Sequence, residues 1–235
     1  MSTLLLKLSA PLQSWGSDSH FQRRTTRHEP TKSAVLGLIA AAQGRRRTDD
    51  IEDLLQIRFG VRIDQPGIVV RDLHSAHRAS GASMPFPSHR YYLSDAVFVV
   101  GLEADCTLLE SVEDALLHPA FPLFLGRRSC APTGKLVLGI SDSDLADALR
   151  SHPWEASLWY KRSVSAKQKL ELIRDSLPQD TGAEVRETVR DLPYSFSQER
   201  REYGWRDVIH DAPVIVDNSC SRGMSTPSHD PMSAL

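Results

Sequence analysis

The sequence of 235 residues predicts an α+β fold. Three features lead to this class. Segment 3–9 reads TLLLKLS, an apolar run typical of a buried or edge strand. Segment 31–44 is apolar on nearly every face of a helix, and segment 107–119 carries a helical apolar stripe. Strand-like segments stand between and after these helices, which is the element pattern of an α+β domain.

The elements of the first half follow from local signals. A polar, arginine-rich loop separates the first strand from the first helix. That helix is predicted to begin at Thr31 or Ser33 and to end at Gly44, because hydroxyl side chains cap helix N-termini and glycine ends helices. A short second helix follows over 48–57, with acidic residues in its first turn. Two β-rich runs then meet at Gln65-Pro66-Gly67, as a hairpin or as an irregular turn.

The chain then leaves the core and returns. The excursion spans about residues 74–90 and is rich in Gly, Pro and Ser. It is followed by one apolar strand over 90–103. The next helix should begin with the capping box of Thr107 and Glu110. Its buried face is predicted to consist of Leu109, Val112 and Leu116.

Two strand-like pieces, LFLG (123–126) and KLVLGI (135–140), complete an order close to βαββαβ, the ferredoxin-like or RRM-like plan. Residues 141–217 are more polar, with a weak helix in 165–177 and a few short strands, and are predicted as a small C-terminal subdomain. Residues 218–235 are rich in Ser, Pro and Met and are predicted to form a disordered tail.

Composition excludes several classes of protein. The net charge of −2 gives no overall basic field that would indicate nucleic acid. No run of about 18 apolar residues could form a membrane-spanning helix, and the N-terminal segment lacks the basic leader of a signal peptide. The 3 cysteines are widely spaced. They disfavour a disulfide framework or a zinc knuckle and fit a reducing cytoplasm.

Positive charge is concentrated near the N-terminus. Residues 1–48 carry eight basic and two acidic side chains, whereas residues 136–235 carry 12 basic and 16 acidic ones. Of the 28 basic residues 22 are arginines, whose planar forks bind phosphates and stack on bases. A GC-rich gene would also produce this excess. An anion-binding site is therefore expected in the first half.

Segment 125–135, LGRRSCAPTGK, superficially resembles a nucleotide-binding P-loop. A P-loop has four residues between its first glycine and the Gly-Lys pair, followed by Ser or Thr. Here seven residues separate Gly126 from Gly134, and Leu136 follows the lysine. The remaining interpretations are a glycine-arginine turn that holds phosphate or carboxylate, and a solvated surface turn.

Signals for catalysis are weak. His74 and His77 lie three residues apart without an evident carboxylate or cysteine partner. Cys130 lacks the local signature of a thiol hydrolase. Metal-free RNA cleavage by a histidine stays open as an alternative, because the 2′-hydroxyl supplies its own nucleophile.

Two clusters combine arginines with aromatic residues, as single-strand binders do. One lies in the loop before the first helix and consists of Trp15, Phe21, Arg23, Arg24 and Arg27. The other follows the excursion and consists of Arg90, Tyr91 and Tyr92. Core packing and solvated charge would explain each cluster alone. Together, on an RRM-like plan, they favour RNA.

Four blocks of sequence together resemble the CasD family of the RAMP superfamily. They are LSAPLQSWG (8–16), EPTKSAVLGLIAAAQG (29–44), RYYLSDAVFVVGL (90–102) and PLFLGRRSCAPTGKLVLG (122–139). The blocks occur in the family's order. The resemblance becomes loose after residue 141 and ends near 217.

The resemblance implies a ferredoxin-like RAMP domain over residues 1–140, with a thumb-like hairpin inserted at about 74–90 and a reduced β-rich C-terminal part. It implies a non-catalytic subunit of the type I-E CRISPR complex Cascade, with no cofactor or metal. That subunit holds the 5′ handle of CRISPR RNA beside the backbone and large subunits, and meets target DNA only through the complex.

On this resemblance, segment 125–130 faces the sheet surface where the handle lies, and the start of the first helix offers N–H groups and charge to a phosphate. The predicted RNA-binding residues are Gln13, Trp15, Arg23, Arg24, Arg27, Lys32, Ser33, His74, Arg78, Arg90, Tyr91, Gly126, Arg127, Arg128 and Ser129. The alternatives are an endoribonuclease of the type I-C kind and a free-standing RRM-like regulator. The regulator is disfavoured by the lack of RNP-type aromatic strands.

Overall fold

The computed structural model describes residues 2–16, 23–76, 86–178, 180 and 185–222. Its helices are α1 (Lys32–Ala42), α2 (Glu52–Leu55), α3 (Cys106–Leu117), α4 (Leu145–Ser151) and α5 (Leu158–Ser163). Its strands are β1 (Ser2–Ser9), β2 (Leu12–Gln13), β3 (Arg23–Arg24), β4 (Arg58–Gln65), β5 (Ile68–Ala76), β6 (Phe86–Ser94), β7 (Val97–Ala104), β8 (Val137–Ser141), β9 (Lys167–Asp175), β10 (Val185–Ser195) and β11 (Glu202–Asp217).

A seven-stranded sheet forms the centre of the fold, in the order β10-β11-β9-β4-β7-β1-β8. Its neighbouring strands pair antiparallel. Along the chain, α1 separates β1 from β4, and α3 separates β7 from β8. The first half of this sheet therefore follows the predicted succession of strand, helix, two strands, helix and strand.

A smaller sheet is built around β6, which pairs with β5 on one edge and with β2 and β3 on the other. The turn at Gln65-Pro66-Gly67 is consequently not a hairpin, because β4 and β5 belong to different sheets. The chain passes from the large sheet to the small one at Gly67, where there is no room for a side chain. A Cβ at this position would lie 2.8 Å from the carbonyl oxygen of Ser94. The predicted single strand over 90–103 is two strands. They separate at Asp95, whose positive φ of 56° turns the chain.

Helices cover both faces of the large sheet. α1 and α3 lie on one face over the main core, and the predicted inner face of α3 is buried. α4 packs on the opposite face with Leu145 and Leu149. Gly101 allows α4 to pack closely against β7, since a Cβ at this position would lie 2.7 Å from Leu145 Cδ1.

Helix termini match the prediction at α1 and differ at α3. Thr31 caps α1 by accepting a hydrogen bond from the Ala34 N–H. The N-cap of α3 is Asp105, whose carboxylate accepts from the Thr107 N–H, so the predicted capping box is wrong. The predicted strand LFLG is also absent from the described residues, because Leu125 is anchored instead by the turn that follows it.

The C-terminal part extends the same sheet. The predicted helix over 165–177 is wrong: β9 alternates with period two, buries Leu170 and Leu172, and pairs with β4 and β11. The sheet therefore runs across the boundary expected near residue 140. The predicted disordered tail begins at residue 218, but Asn218 is buried and donates to the Lys161 carbonyl at 2.7 Å. Residues 223–235 of that tail lie outside the described chain.

Candidate nucleic-acid interface

A tight turn at Gly126 anchors the glycine-arginine segment. Gly126 has a φ of +89°, and a Cβ there would lie 1.7 Å from the carbonyl oxygen of Ser14. The Ser14 N–H donates to the Leu125 carbonyl at 3.2 Å, and the Leu125 N–H donates to the Cys130 carbonyl at 2.7 Å. Because Leu125 and Cys130 are buried, the turn is fixed at both ends while Arg128 stays exposed at its tip.

Arg127 points back over the small sheet. Its guanidinium carbon lies 4.3 Å from the centroid of the Tyr92 ring, a cation–π distance. Its Nη2 donates to the Arg24 carbonyl at 3.1 Å. Its Nη1 is buried and has no protein partner among the described residues. Arg127 thus joins the glycine turn to β3 and β6 and keeps one donor free.

Two further arginines lie beside this group. β3 and β6 pair in parallel with Arg24 aligned to Arg90, and Arg90 shares a face of β6 with Tyr92 because strand residues alternate. Arg24 is exposed, and the Nε of Arg90 is buried without a partner in the described chain. None of the three arginines has a carboxylate within ion-pair distance among the described residues. We call Arg24, Arg90 and Arg127 the arginine cluster.

The β5–β6 ribbon extends from this cluster. Its antiparallel register runs from Ile68 opposite Ser94 to Ala76 opposite Phe86. Residues 71–75 are exposed without alternation, so neither face of this part of β5 is covered. His74 is among them, and its carbonyl accepts from Ser88 Oγ at 3.1 Å. Arg78 lies outside the described residues.

Two predicted RNA-binding residues are core residues instead. Gln13 is fully buried, and its Nε2 donates to the Ala96 carbonyl at 2.7 Å. Trp15 is 1% exposed and packs edge-on against Phe98. Trp15 has no exposed face for a base because its side chain is buried in the main core.

Lys32 is also withdrawn from solvent. Its Nζ donates to Asp175 Oδ2 at 2.8 Å, and its backbone N–H donates to Asp191 Oδ2 at 2.8 Å. Arg206 bridges the same two carboxylates. The start of α1 therefore binds carboxylates of β9 and β10, and its charge is not displayed to a phosphate. Ser33 is half-buried, with its hydroxyl 3.4 Å from that of Thr31.

Three other predicted residues, Arg27, Tyr91 and Ser129, are accessible at least in part. Arg27 is half-exposed and pairs with Glu29 at 3.3 Å. A β-bridge from Arg27 to Trp15 closes the base of the arginine-rich loop. Tyr91 is half-exposed, and Ser129 is exposed in the glycine turn. Of Arg23 only the backbone is described, paired with His89 in β6.

The described residues offer little catalytic chemistry. No group of three or more His, Cys, Asp or Glu side chains in them could hold a metal ion. Burial raises the pKa of the Cys130 thiol, which disfavours the reactive thiolate. Among the described residues no carboxylate lies at ion-pair distance from the arginine cluster, an arrangement that suits binding of an anion.

The sequence predicts Arg24, Arg90 and Arg127 as RNA-binding residues but does not predict their arrangement around the Tyr92 ring. It placed Tyr91 in the site, whereas the ring beneath Arg127 belongs to Tyr92. Alternation within β6 was the available signal, because Arg90 and Tyr92 share a face. The partners of Lys32 had no local signal, since they lie 143 and 159 residues away along the chain.

The chain is similar to known CRISPR-associated proteins. A family model described as CRISPR-associated protein (Cas_Cas5) matches residues 3–209. The CRISPR system Cascade subunit CasD of Escherichia coli (strain K12) is 32% identical over 196 residues, which cover 74% of this chain and 88% of the relative. In the described residues, no helix is long and apolar enough to cross a membrane.

Solved structures give the same assignment. A chain of a CRISPR RNA-guided surveillance complex superposes with a TM-score of 0.74 and 28% identity, covering 98% of this chain and 96% of that one. A crystal structure of a Cas protein superposes with a TM-score of 0.68 and 36% identity, covering 93% and 97%. With the family match over most of its length, the chain belongs to the CRISPR-associated Cas5 family.

Proposed function

We propose that this chain is a non-catalytic RNA-binding subunit of a type I-E Cascade complex and caps the 5′ handle of CRISPR RNA. The likeness to a Cascade subunit and to a chain of an RNA-guided surveillance complex supports the assembly. In that assembly the chain joins the backbone subunit to the large subunit, and it meets target DNA only through the complex.

The arginine cluster is the observation that carries the proposal. Arg24 and Arg90 pair across β3 and β6, and Arg127 lies over the Tyr92 ring of β6. In the described chain none of them has a carboxylate at ion-pair distance. Arg24 is exposed, and Arg90 and Arg127 are half-exposed. Phosphate oxygens accept forked hydrogen bonds from arginine. A ribose-phosphate backbone would therefore bind the accessible parts of these guanidinium groups and balance their charge.

The fold supports a RAMP architecture. In the order β8-β1-β7-β4, with α1 and α3 as the crossovers, the first half has the strand order of the ferredoxin-like plan. The β5–β6 ribbon fits the thumb expected at about 74–90, because it leaves the core between β4 and β7 and is exposed on both faces near residue 74. We infer that the ribbon lies against RNA or the backbone subunit.

The test is assembly of the complex with a variant chain. Arg24→Ala together with Arg90→Ala should reduce recovery of CRISPR RNA with the complex, and lower the salt slope of RNA binding by about 1.4 for two lost phosphate contacts. Arg200→Ala is the matched control, since its side chain is 84% exposed and pairs with Glu202. Equal RNA recovery and equal salt slopes for both variants would contradict the proposal.

A further inference from the structure

A group of three aromatic side chains lies outside the core of the fold. Tyr160 of α5 packs edge-on against Trp154 and against Trp159, with ring centroids 6.4 Å and 5.9 Å apart. None of the three belongs to either hydrophobic core cluster of the described residues. Two of the chain's 4 tryptophans therefore lie in a surface group that the core does not use.

The helix α5 turns one side of this group to solvent. Leu158 is 52% exposed, Trp159 is 57% exposed, and Arg162 is exposed as well. Arg162 follows the other two by four and three positions, so the three side chains lie on one side of the helix. Adjacent large apolar side chains beside an arginine are typical of the centre of a protein interface. We call Leu158, Trp159 and Arg162 the α5 face.

The helix is fixed at both ends by the rest of the fold. At its start, Ser157 Oγ donates to Gln65 Oε1 at 2.7 Å. At its end, the buried Asn218 donates from Nδ2 to the Lys161 carbonyl at 2.7 Å and to the Ser165 carbonyl at 3.0 Å. The α5 face is therefore held in place before a partner binds, which lowers the entropic cost of docking.

Positive charge gathers at the end of α5. Lys161, Arg162 and Arg222 have no carboxylate at ion-pair distance among the described residues. Arg222 lies near the end of the helix, because the preceding Ser221 donates from Oγ to the Val164 carbonyl at 2.8 Å. Three cations thus stand on or beside the α5 face.

The acids on neighbouring elements do not cancel this charge. Glu155 is paired with Lys7 at 2.9 Å. Asp217 lies opposite Lys167 in the register of β9 and β11, so these two charges balance each other. Asp95 is exposed and lies toward the start of α5, since one glutamine side chain binds both its carbonyl and the helix start. Three cations therefore face one remaining acid, and a partner that complements this surface is acidic.

A protein fits the α5 face better than a nucleic acid does. Interfaces with nucleic acid are polar, and single strands stack successive bases on aromatic rings. The exposed ring of Trp159 stands beside Leu158, whose aliphatic side chain offers no stacking plane. Two adjacent apolar side chains are buried instead in the hydrophobic centre of a protein interface.

We propose that the α5 face docks another protein subunit of the same complex. The matching surface is an apolar pocket that receives Leu158 and Trp159 and is bordered by a carboxylate that pairs with Arg162. This inference rests on the proposed membership of the chain in Cascade. It does not depend on the arginine cluster, which lies on the small sheet.

Photocrosslinking in the assembled complex identifies what covers the face. The photoreactive residue p-benzoylphenylalanine replaces Trp159 in the full chain, and the complex is assembled with guide RNA. Irradiation should link this position to a protein subunit, at a peptide that contains apolar residues and Asp or Glu. The same replacement of Trp205, which is 64% exposed, is the matched control and should not label that peptide. Adducts to RNA alone, or none to a protein subunit, would overturn the proposal.

Affinities of the full chain for the purified backbone subunit and the purified large subunit, measured by biolayer interferometry, test the energetics. Trp159→Ala should weaken binding of one of them about tenfold or more, as expected for a central interface residue. Arg162→Glu should weaken binding of the same subunit, and Trp205→Ala should leave both affinities unchanged. Wild-type affinities for both Trp159→Ala and Arg162→Glu would contradict the proposal.

The readouts separate this inference from the RNA-binding function. Melting temperatures of the variants should match the wild type, because the replaced side chains are exposed. Guide RNA that stays bound while Trp159→Ala and Arg162→Glu keep full subunit affinity would contradict the docking surface alone. Guide RNA that is lost from a complex still crosslinked through position 159 would contradict the RNA-binding function and support the docking surface.

Discussion

The ammonium of Lys32 lies 2.8 Å from Oδ2 of Asp175, and both side chains are nearly excluded from solvent. This pair fastens the first turn of α1 to the end of β9. Asp175 Oδ2 also accepts from the Phe59 N–H at 2.9 Å, so the carboxylate links three elements. The C-terminal strands therefore hold the helix that follows the arginine-rich loop.

Removing the ammonium should destabilise the fold strongly. Lys32→Met leaves Arg206 as the one cation paired with Asp175 and Asp191 among the described residues. Breaking a buried pair in this way costs about 3–5 kcal/mol. The free energy of unfolding in urea measures the effect. Lys7→Met is the control, because its pair with Glu155 is about a quarter exposed and should contribute at most about 1 kcal/mol. Similar losses of unfolding free energy in both variants would contradict a stabilising role of the Lys32–Asp175 pair.

Gly126 should not tolerate alanine. The new Cβ would collide with the Ser14 carbonyl, and the positive φ adds strain, so Gly126→Ala should destabilise the chain by more than about 1 kcal/mol. Gly134→Ala separates these causes, since Gly134 also has a positive φ, of 73°, but open space around it. Thermal melting of the two variants compares them. A larger drop in melting temperature for Gly134→Ala than for Gly126→Ala would contradict the close packing of Gly126 against the Ser14 carbonyl.

Arg127 and Arg128 should respond differently to replacement. Arg127→Ala removes the contacts with Tyr92 and the Arg24 carbonyl, and should lower both the melting temperature and RNA affinity. Arg128→Ala should leave melting unchanged, and any loss should appear only as a smaller salt slope of RNA binding. Differential scanning fluorimetry and filter binding distinguish the two. Identical behaviour of both variants would mean that Arg127 has no role in joining the turn to the small sheet.

Acid should weaken the interaction between Arg174 at the end of β9 and Asp180. Hydrogen bonds from Arg174 hold the pKa of Asp180 at about 2, below its ordinary 3.8. A depressed carboxyl pKa gives stability that is full above the unfolded value and is lost as pH falls through the folded one. The difference in unfolding free energy between wild type and Asp180→Asn should therefore be constant above about pH 5 and shrink between about pH 4 and 2. A difference that grows with acid would contradict this pairing.

The nuclease alternative has its own test. Repeat RNA incubated with the chain alone and without metal should stay intact, because the described residues of the arginine cluster supply guanidinium groups, which bind phosphate and do not give up a proton near neutral pH. Gel electrophoresis of end-labelled RNA would reveal cleavage. Specific cutting that disappears on replacing one histidine, such as His74→Ala, would favour an endoribonuclease.

The core helices α1 and α3 could be predicted from the sequence because apolar spacing is a local signal. The helix at 32–42 and the buried face of α3 follow from apolar spacing and caps. The sequence predicts a helix over 165–177 because KQKLELIRD is rich in strong helix formers, whereas the strand β9 depends on pairing with β4 and β11. Likewise, a basic residue at a helix start predicts an anion site, but only the fold brings Asp175 to Lys32.

The most direct test of the central claim is ultraviolet crosslinking of the assembled complex, with mass spectrometry of the protein–RNA adducts. The account predicts that the 5′-terminal nucleotides of the guide crosslink to this chain, at peptides that contain Arg24, Tyr91 or the turn from Gly126 to Cys130. Crosslinks of the 5′ end to another subunit, with none to this chain, would contradict it.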